Sequence, residues 1–201
     1  MDNILVFLRN MFQLVVAPAR GWEDLEAEQH GRTAQAEEEL ASFNYMHCFL
    51  PIIAVCSLSW FVRLFYGYSG GLLGCVQGAV VMFVSLFLGA QVSMWLMGFA
   101  MPRLMEEDPR LPSAAEWNRG RMLDMICYSI TFIGFVLMLA NVIKVRIAIL
   151  EFLPFYVVFI IWKGWRYVGI REQNLGLFMI AACISVLGSV YLISFLLNAV
   201  M

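Results

Sequence analysis

Charge is what this chain has least of. Asp, Glu, Lys and Arg make up 14% of its 201 residues, and from Leu64 to Pro102 there is none at all. Histidine occurs only as His30 and His47, and no HExxH pair exists, which excludes the helical zinc site of a metalloprotease. The five cysteines (Cys48, Cys56, Cys75, Cys127 and Cys183) form no CxxC pair and all sit in apolar runs. That argues against a disulfide framework and against zinc, and reads as small apolar packing residues. His47 and Cys48 are adjacent, so on a helix they point to different faces and make no dyad. There is no GxSxG elbow and no glycine-rich phosphate loop after a strand. A net charge of −2 without a basic cluster gives nucleic acid nothing to bind. The sequence therefore predicts no enzyme, no cofactor, no metal and no nucleic-acid partner.

What is present in excess is apolar surface. Hydrophobic residues make up 62% of the chain, against about 45–50% in ordinary soluble domains. At helical rise, Leu72 to Ala100 spans about 43 Å, more than the roughly 30 Å hydrocarbon core of a bilayer. This run also carries small residues. Gly70, Gly74, Gly78, Ser85 and Gly89 fall within about 100° of one another on a helical wheel. Such a stripe lets another helix approach closely, within one chain or between copies in a homo-oligomer. The reading is a spine helix in an all-α membrane protein, with the lipid bilayer as its first partner.

The chain divides into 1–42 and 43–201. Residues 3–16 are apolar but too short to span. Arg9 and Gln13 share one face with Asp2, while Ile4, Leu8, Met11 and Val15 take the opposite one. That predicts an amphipathic helix lying in the membrane interface. A signal peptide is the rival reading, because Ala17-Pro18-Ala19 resembles a cleavage site, but Asp2 and Arg9 stand where a basic start and an unbroken apolar core belong. A helix packed on the bundle is the other. Pro18 ends the segment. Residues 23–42 carry Glu23, Asp24, Glu26, Glu28, Glu37, Glu38 and Glu39 against Arg32, and read as a solvated helical face.

Five spans follow, at about 43–62, 72–100, 125–143, 147–162 and 175–198, forming a five-span helical bundle. The fourth is short and holds Glu151 and Pro154. Ser113 to Glu116 is a capping-box pattern that predicts a helix running into the third span. Ten of the thirteen basic residues fall on the N-terminal side: Arg9, Arg20, Arg32, Arg103, Arg110, Arg119, Arg121, Lys163, Arg166 and Arg171. That places the N-terminus in the cytoplasm and the C-terminus outside a plasma (inner) membrane. Without the fourth span the split falls to seven against six. Trp60, Tyr66, Tyr68, Trp117, Trp162, Trp165 and Tyr167 read as interfacial belt residues.

Polar groups deep in a bilayer are costly and usually functional. Gln77 and Gln91 lie within about 40° on the wheel. Asn141, Ser129, Thr131, Ser185, Ser189 and Ser194 join them as residues that hydrogen-bond between helices. Glu151 is the one carboxylate well inside an apolar segment, either a proton-coupling group or an interfacial partner of Lys144 or Arg146. Asp124 reads as a partner of Arg121 at the cytoplasmic rim. Two functions follow. One is a membrane scaffold whose protein partners dock on cytoplasmic residues 18–42, 102–122 and 163–173. The other is a small solute or ion transporter built on Gln77, Gln91 and Glu151.

Several stretches resemble the Yip-one domain family of Ypt/Rab-interacting membrane proteins. Ala17-Pro18-Ala19-Arg20-Gly21-Trp22-Glu23 is similar to the P-x-x-x-W opening of its bacterial members. Tyr128-Ser129 resembles the start of its third span, with Phe132 or Ile133 where many members have proline. Trp162 to Ala181, with Gly164, Gly169 and Asn174, resembles its turn between spans four and five. The resemblance implies five spans, a cytoplasmic N-terminus and an outer C-terminus. It carries over no GTPase-binding residues.

Overall fold

A computed structural model of the chain describes residues 2–67, 70–104, 119–144 and 148–200. Every regular element among them is helical. We number α1 as Asp2–Val16 and α2 as Pro18–Gln29. Next come α3, Ala34–Tyr66, and α4, Gly71–Leu104, then α5, Arg119–Val142. Three short pieces follow: α6 Ala148–Phe152, α7 Tyr156–Lys163 and α8 Trp165–Val168. The last is α9, Glu172–Val200. Four of these, α3, α4, α5 and α9, are long and apolar enough to cross a membrane.

Local chemistry explains the breaks. Pro18 opens α2, where its missing N–H costs nothing. Thr33 caps α3, its hydroxyl accepting from the Ala36 amide at 3.3 Å. Inside α3, Pro51 cannot donate to the turn before it, and Tyr45–Phe49 widens to a π turn just ahead. The helix tightens over Ser59–Tyr66 and ends at Gly67, whose φ of 72° suits a residue without Cβ. Pro154 divides α6 from α7 through a 3₁₀ turn at Leu153–Phe155. The segment expected at 147–162 is thus helix in pieces.

Contacts between chain ends fix the arrangement. At one end, which we call the near end, α3 begins beside α5: a Cβ on Gly120 would lie 2.7 Å from the Glu37 carbonyl oxygen. The Leu104 carbonyl at the end of α4 accepts from the Arg171 amide at 3.3 Å and from the Asn174 side chain at 3.3 Å. At the far end, Tyr66 donates to the Val142 carbonyl at 2.8 Å. Tyr167 bonds Asp124 at the near end of α5, so the described residues 148–166 run back along α5. From Asp124 to Val142 that is about 27 Å of helix. Tyr156 faces Phe132 halfway, with ring centroids 5.8 Å apart.

The sequence points to the second span as the spine. The centre is α5 instead: 61% of its apolar window is buried, against 33% for α4. Met122, Met125, Ile126, Cys127, Ile130 and Ile133 are sealed from outside. On α4, Leu72, Leu73, Val80, Trp95 and Phe99 are exposed, as are Leu192, Phe195 and Val200 on α9. Water does not tolerate apolar rows of that length, whereas lipid does.

The glycine stripe of α4 meets two neighbours. A Cβ on Gly78 would sit 2.4 Å from the Trp60 ring, and one on Gly89 would sit 2.6 Å from Val190 Cγ2. Gly74 is half-buried and Gly70 exposed. Ser85 is buried, and its hydroxyl bonds the Val81 carbonyl of its own helix at 2.7 Å. One turn past Gly89, Ser93 donates toward the Gly89 and Ser185 carbonyls at 2.6 and 2.8 Å and lies 3.1 Å from the Ser189 hydroxyl. Ser185 belongs to a second π turn, Ile184–Gly188, and its carbonyl accepts from the Ser189 amide of its own helix as well as from Ser93. Gly89→Leu is expected to cost about 1–3 kcal/mol through overpacking against Val190. Gly176→Leu, where nothing lies within 4 Å, is expected to be near neutral. Unfolding of both variants in detergent measures the difference.

A candidate site beneath the N-terminal helices

The first two helices fold into an antiparallel hairpin on the near end of the bundle. Gly21 permits the close approach, because a Cβ there would fall 2.9 Å from Leu14 Cδ2. Gln13 donates to Asp24, and Arg9 lies 3.6 Å from Glu28 across the hairpin. Phe7, Met11 and Leu14 of α1 are buried in the bundle core, with Ile4, Leu8 and Val15 packed beside them. The face expected to meet lipid therefore packs largely on protein. A second apolar row, Leu5, Phe12 and Val16, is exposed instead.

Trp22 pins α2. Its indole N–H donates to the Ile160 carbonyl at 2.9 Å, and the ring lies over Gly164, where a Cβ would stand 2.9 Å from Cε2. The same ring packs on Tyr167 and Tyr128, and Tyr128 stacks on Phe7 with centroids 4.5 Å apart.

About two turns further along α2 is the polar centre. Asp124 is 2% exposed. Gln29 donates to its Oδ2 at 3.2 Å, Asn44 to its Oδ1 at 3.5 Å, and the Tyr167 hydroxyl to Oδ2 at 3.3 Å. The same hydroxyl lies 3.1 Å from Gln29 Oε1, so one proton is shared between two acceptors. Burial first, and the nearby Asp124 carboxylate second, hold the Tyr167 hydroxyl well above its ordinary range, so it stays a donor. Among the described residues no cation pairs with Asp124.

The cation expected there goes elsewhere. Arg121 forks onto Glu37, with Nε to Oε2 and Nη2 to Oε1 both at 3.0 Å, and its Nη1 donates to the Tyr167 carbonyl at 3.2 Å. Glu37 is 3% exposed, so it departs from the solvated acidic face to which it was assigned. Glu23, Asp24, Glu26, Glu28, Glu38 and Glu39 do face outward. A planar guanidinium suits this bidentate bond.

A cavity of about 240 Å³ opens above Asp124 between α1, α2 and the start of α3. Its floor holds Asp124, Gln29, Asn10 and Tyr128, all buried. Asn3, Val6, Glu28 and Arg32 form its exposed rim. A second recess of about 320 Å³ lies between α3 and α4. There Gln91 donates to the Tyr45 hydroxyl at 2.6 Å.

Gln91, Gln77 and Glu151 are not brought together. Gln77 is half-buried about 21 Å along α4 from Gln91, and Glu151 is exposed on α6. Neither Gln77 nor Glu151 lines the cavities above. Asn141 donates to Ser59 at 3.0 Å, joining α5 to α3. Ser129 and Thr131 are buried with no partner among the described residues. Lys144 stands 5.9 Å from the Tyr66 ring. Arg146, the Ser113–Glu116 capping box, Tyr68 and Trp117 lie outside the described residues. Sequence reasoning missed Gln29, Asn44 and Asn10 as parts of a site and placed Tyr167 in a belt. The available signal was Gln29 on the Trp22–Leu25 face of α2, one turn beyond.

Comparison with family models, curated proteins and solved structures finds no match. The site's reading therefore rests on its own geometry.

Removing one partner of a buried pair strands the other's charge. Arg121→Met is expected to destabilise the protein by about 3 kcal/mol, with most of the loss recovered in Arg121→Met/Glu37→Leu. Trp22→Phe, which removes a buried donor, is expected to cost about 1–3 kcal/mol. Detergent unfolding of the four proteins, wild type included, measures both effects.

Proposed function

We propose that this chain is a non-enzymatic, multi-span membrane scaffold that presents its N-terminal helices as a protein-docking platform. The observation that carries the reading is the folded near end: α1, α2 and the start of α3 are held on the bundle by Trp22, Gln29, Glu37 and Asn44. A rigid platform loses little entropy on binding. Its outward face carries Glu23, Asp24, Glu26, Glu38 and Glu39 and suits a basic partner surface.

The membrane arrangement we propose has five crossings, the fourth made by α6, the turn at Leu153–Phe155 and α7. Support comes from the return of residues 148–166 along α5. A broken crossing is tolerable where protein neighbours cover it, and Pro154, Val157, Ile160 and Ile161 are buried. The ten-to-three split of basic residues favours a cytoplasmic near end in a plasma membrane. On this reading α1 lies in the interface, its inner face on protein and Leu5, Phe12 and Val16 in the leaflet. This arrangement, with the Pro18–Trp22 opening, is the ground for proposing kinship with the Yip-one domain family.

Reversing Glu23, Glu26 and Glu39 to Lys leaves every buried contact in place. Crosslinking in native membranes is expected to capture a partner with wild type and to lose it at least about tenfold with the reversed variant, at unchanged thermal stability. Self-crosslinks alone, unaltered by the reversal, would overturn the platform. The transport reading would then be tested by solute flux in liposomes with Glu151→Gln.

A further inference from the structure

The Asp124 cavity has no role in a platform whose contacts are external. We infer that it is a binding site for a small primary ammonium compound. Asp124 is a buried carboxylate met by neutral donors alone, and a site of that kind favours a cation over an anion or a neutral molecule. Glu28 adds a second carboxylate at the rim, but it is already paired with Arg9 at 3.6 Å and faces Arg32, the one basic residue of the lining. The rim carboxylate is thus compensated, and Asp124 is the lining carboxylate with no cation beside it among the described residues, which a monovalent cation would pair.

Shape selects among cations. Among the described residues no group of three His, Cys, Asp or Glu side chains gathers to hold a metal. The cavity's 240 Å³ is far larger than a dehydrated ion needs. Its lining mixes two kinds of group. Asp124 stands with the side-chain amides of Asn10 and Asn44, whose oxygens can accept from the N–H bonds of an ammonium group. Val6, Leu25, Leu40 and Phe43 supply apolar surface, which suits a short carbon chain. Because Gln29 and Asn44 both line the cavity and bond Asp124, an occupant would also brace the join between α2, α3 and α5.

The test is thermal unfolding of the full-length protein in detergent, read by tryptophan fluorescence. The probes are butylammonium, butanol and butyrate at equal concentration and ionic strength. Butylammonium is expected to raise the midpoint saturably, by about 3 °C at tenfold excess over its dissociation constant. Butanol and butyrate are expected not to. Asp124→Asn should abolish the shift. If that variant does not fold, Val6→Trp, which fills the mouth and keeps the carboxylate, should abolish it instead. Equal responses to butylammonium and butanol in the wild type, or a full butylammonium shift in Val6→Trp, would mean a hydrated recess only and overturn the site.

Discussion

The near end of this molecule is organised by the need to satisfy one buried carboxylate. Asp124 sits at the start of the most enclosed helix, and its donors come from three separate segments: Gln29 from α2, Asn44 from α3 and Tyr167 from α8. An unsatisfied carboxylate at such depth is too costly to persist, so the segments must arrive together. The Arg121–Glu37 fork repeats the logic one turn earlier and draws in the Tyr167 carbonyl. The two clusters share Tyr167, so neither α2 nor α8 can move without disturbing both.

Away from this end the bundle uses a different device. Small residues bring backbones together, and short hydroxyl side chains bond across the gap. Gly89, Ser93, Ser185 and Ser189 do this between α4 and α9, and Gly78 does it with Trp60 between α4 and α3. Where lipid surrounds the bundle, burial of apolar surface no longer separates helix from helix, so close packing and hydrogen bonds decide the pairing. Both π turns carry a bond of this kind: the turn at Tyr45–Phe49 contains Gln91's partner, and the one at Ile184–Gly188 supplies Ser93 with a carbonyl.

Much of the fold was legible in the chain. The apolar runs located α3, α4, α5 and α9 to within a turn or so at most ends, since bilayer thickness and helical rise leave few other solutions. The start of α3 ran earlier than the apolar pattern, because Thr33 caps a polar first stretch that belongs to the same helix. Identifying the central helix failed for a clear reason. Hydrophobicity measures what a helix can bury or show to lipid, and in a membrane protein both sides of that choice are apolar. The long run of α4 is partly lipid-facing surface, while the less conspicuous α5 is enclosed on nearly every side.

The sequence by itself determined an all-helical chain, the places where proline and glycine interrupt it, and the asymmetry of its basic residues. These are local or compositional properties, fixed by backbone chemistry and by transfer between water and lipid. Tertiary structure alone decided which of seven nearby carboxylates would be buried, that Arg121 would choose Glu37 over Asp124, and that Gln29 and Asn44, 15 positions apart, would both donate to Asp124. Those choices depend on how helix faces are rotated toward one another. An electrostatic or hydrogen-bonding partner is selected by distances of a few ångströms, and no spacing along a single chain encodes them.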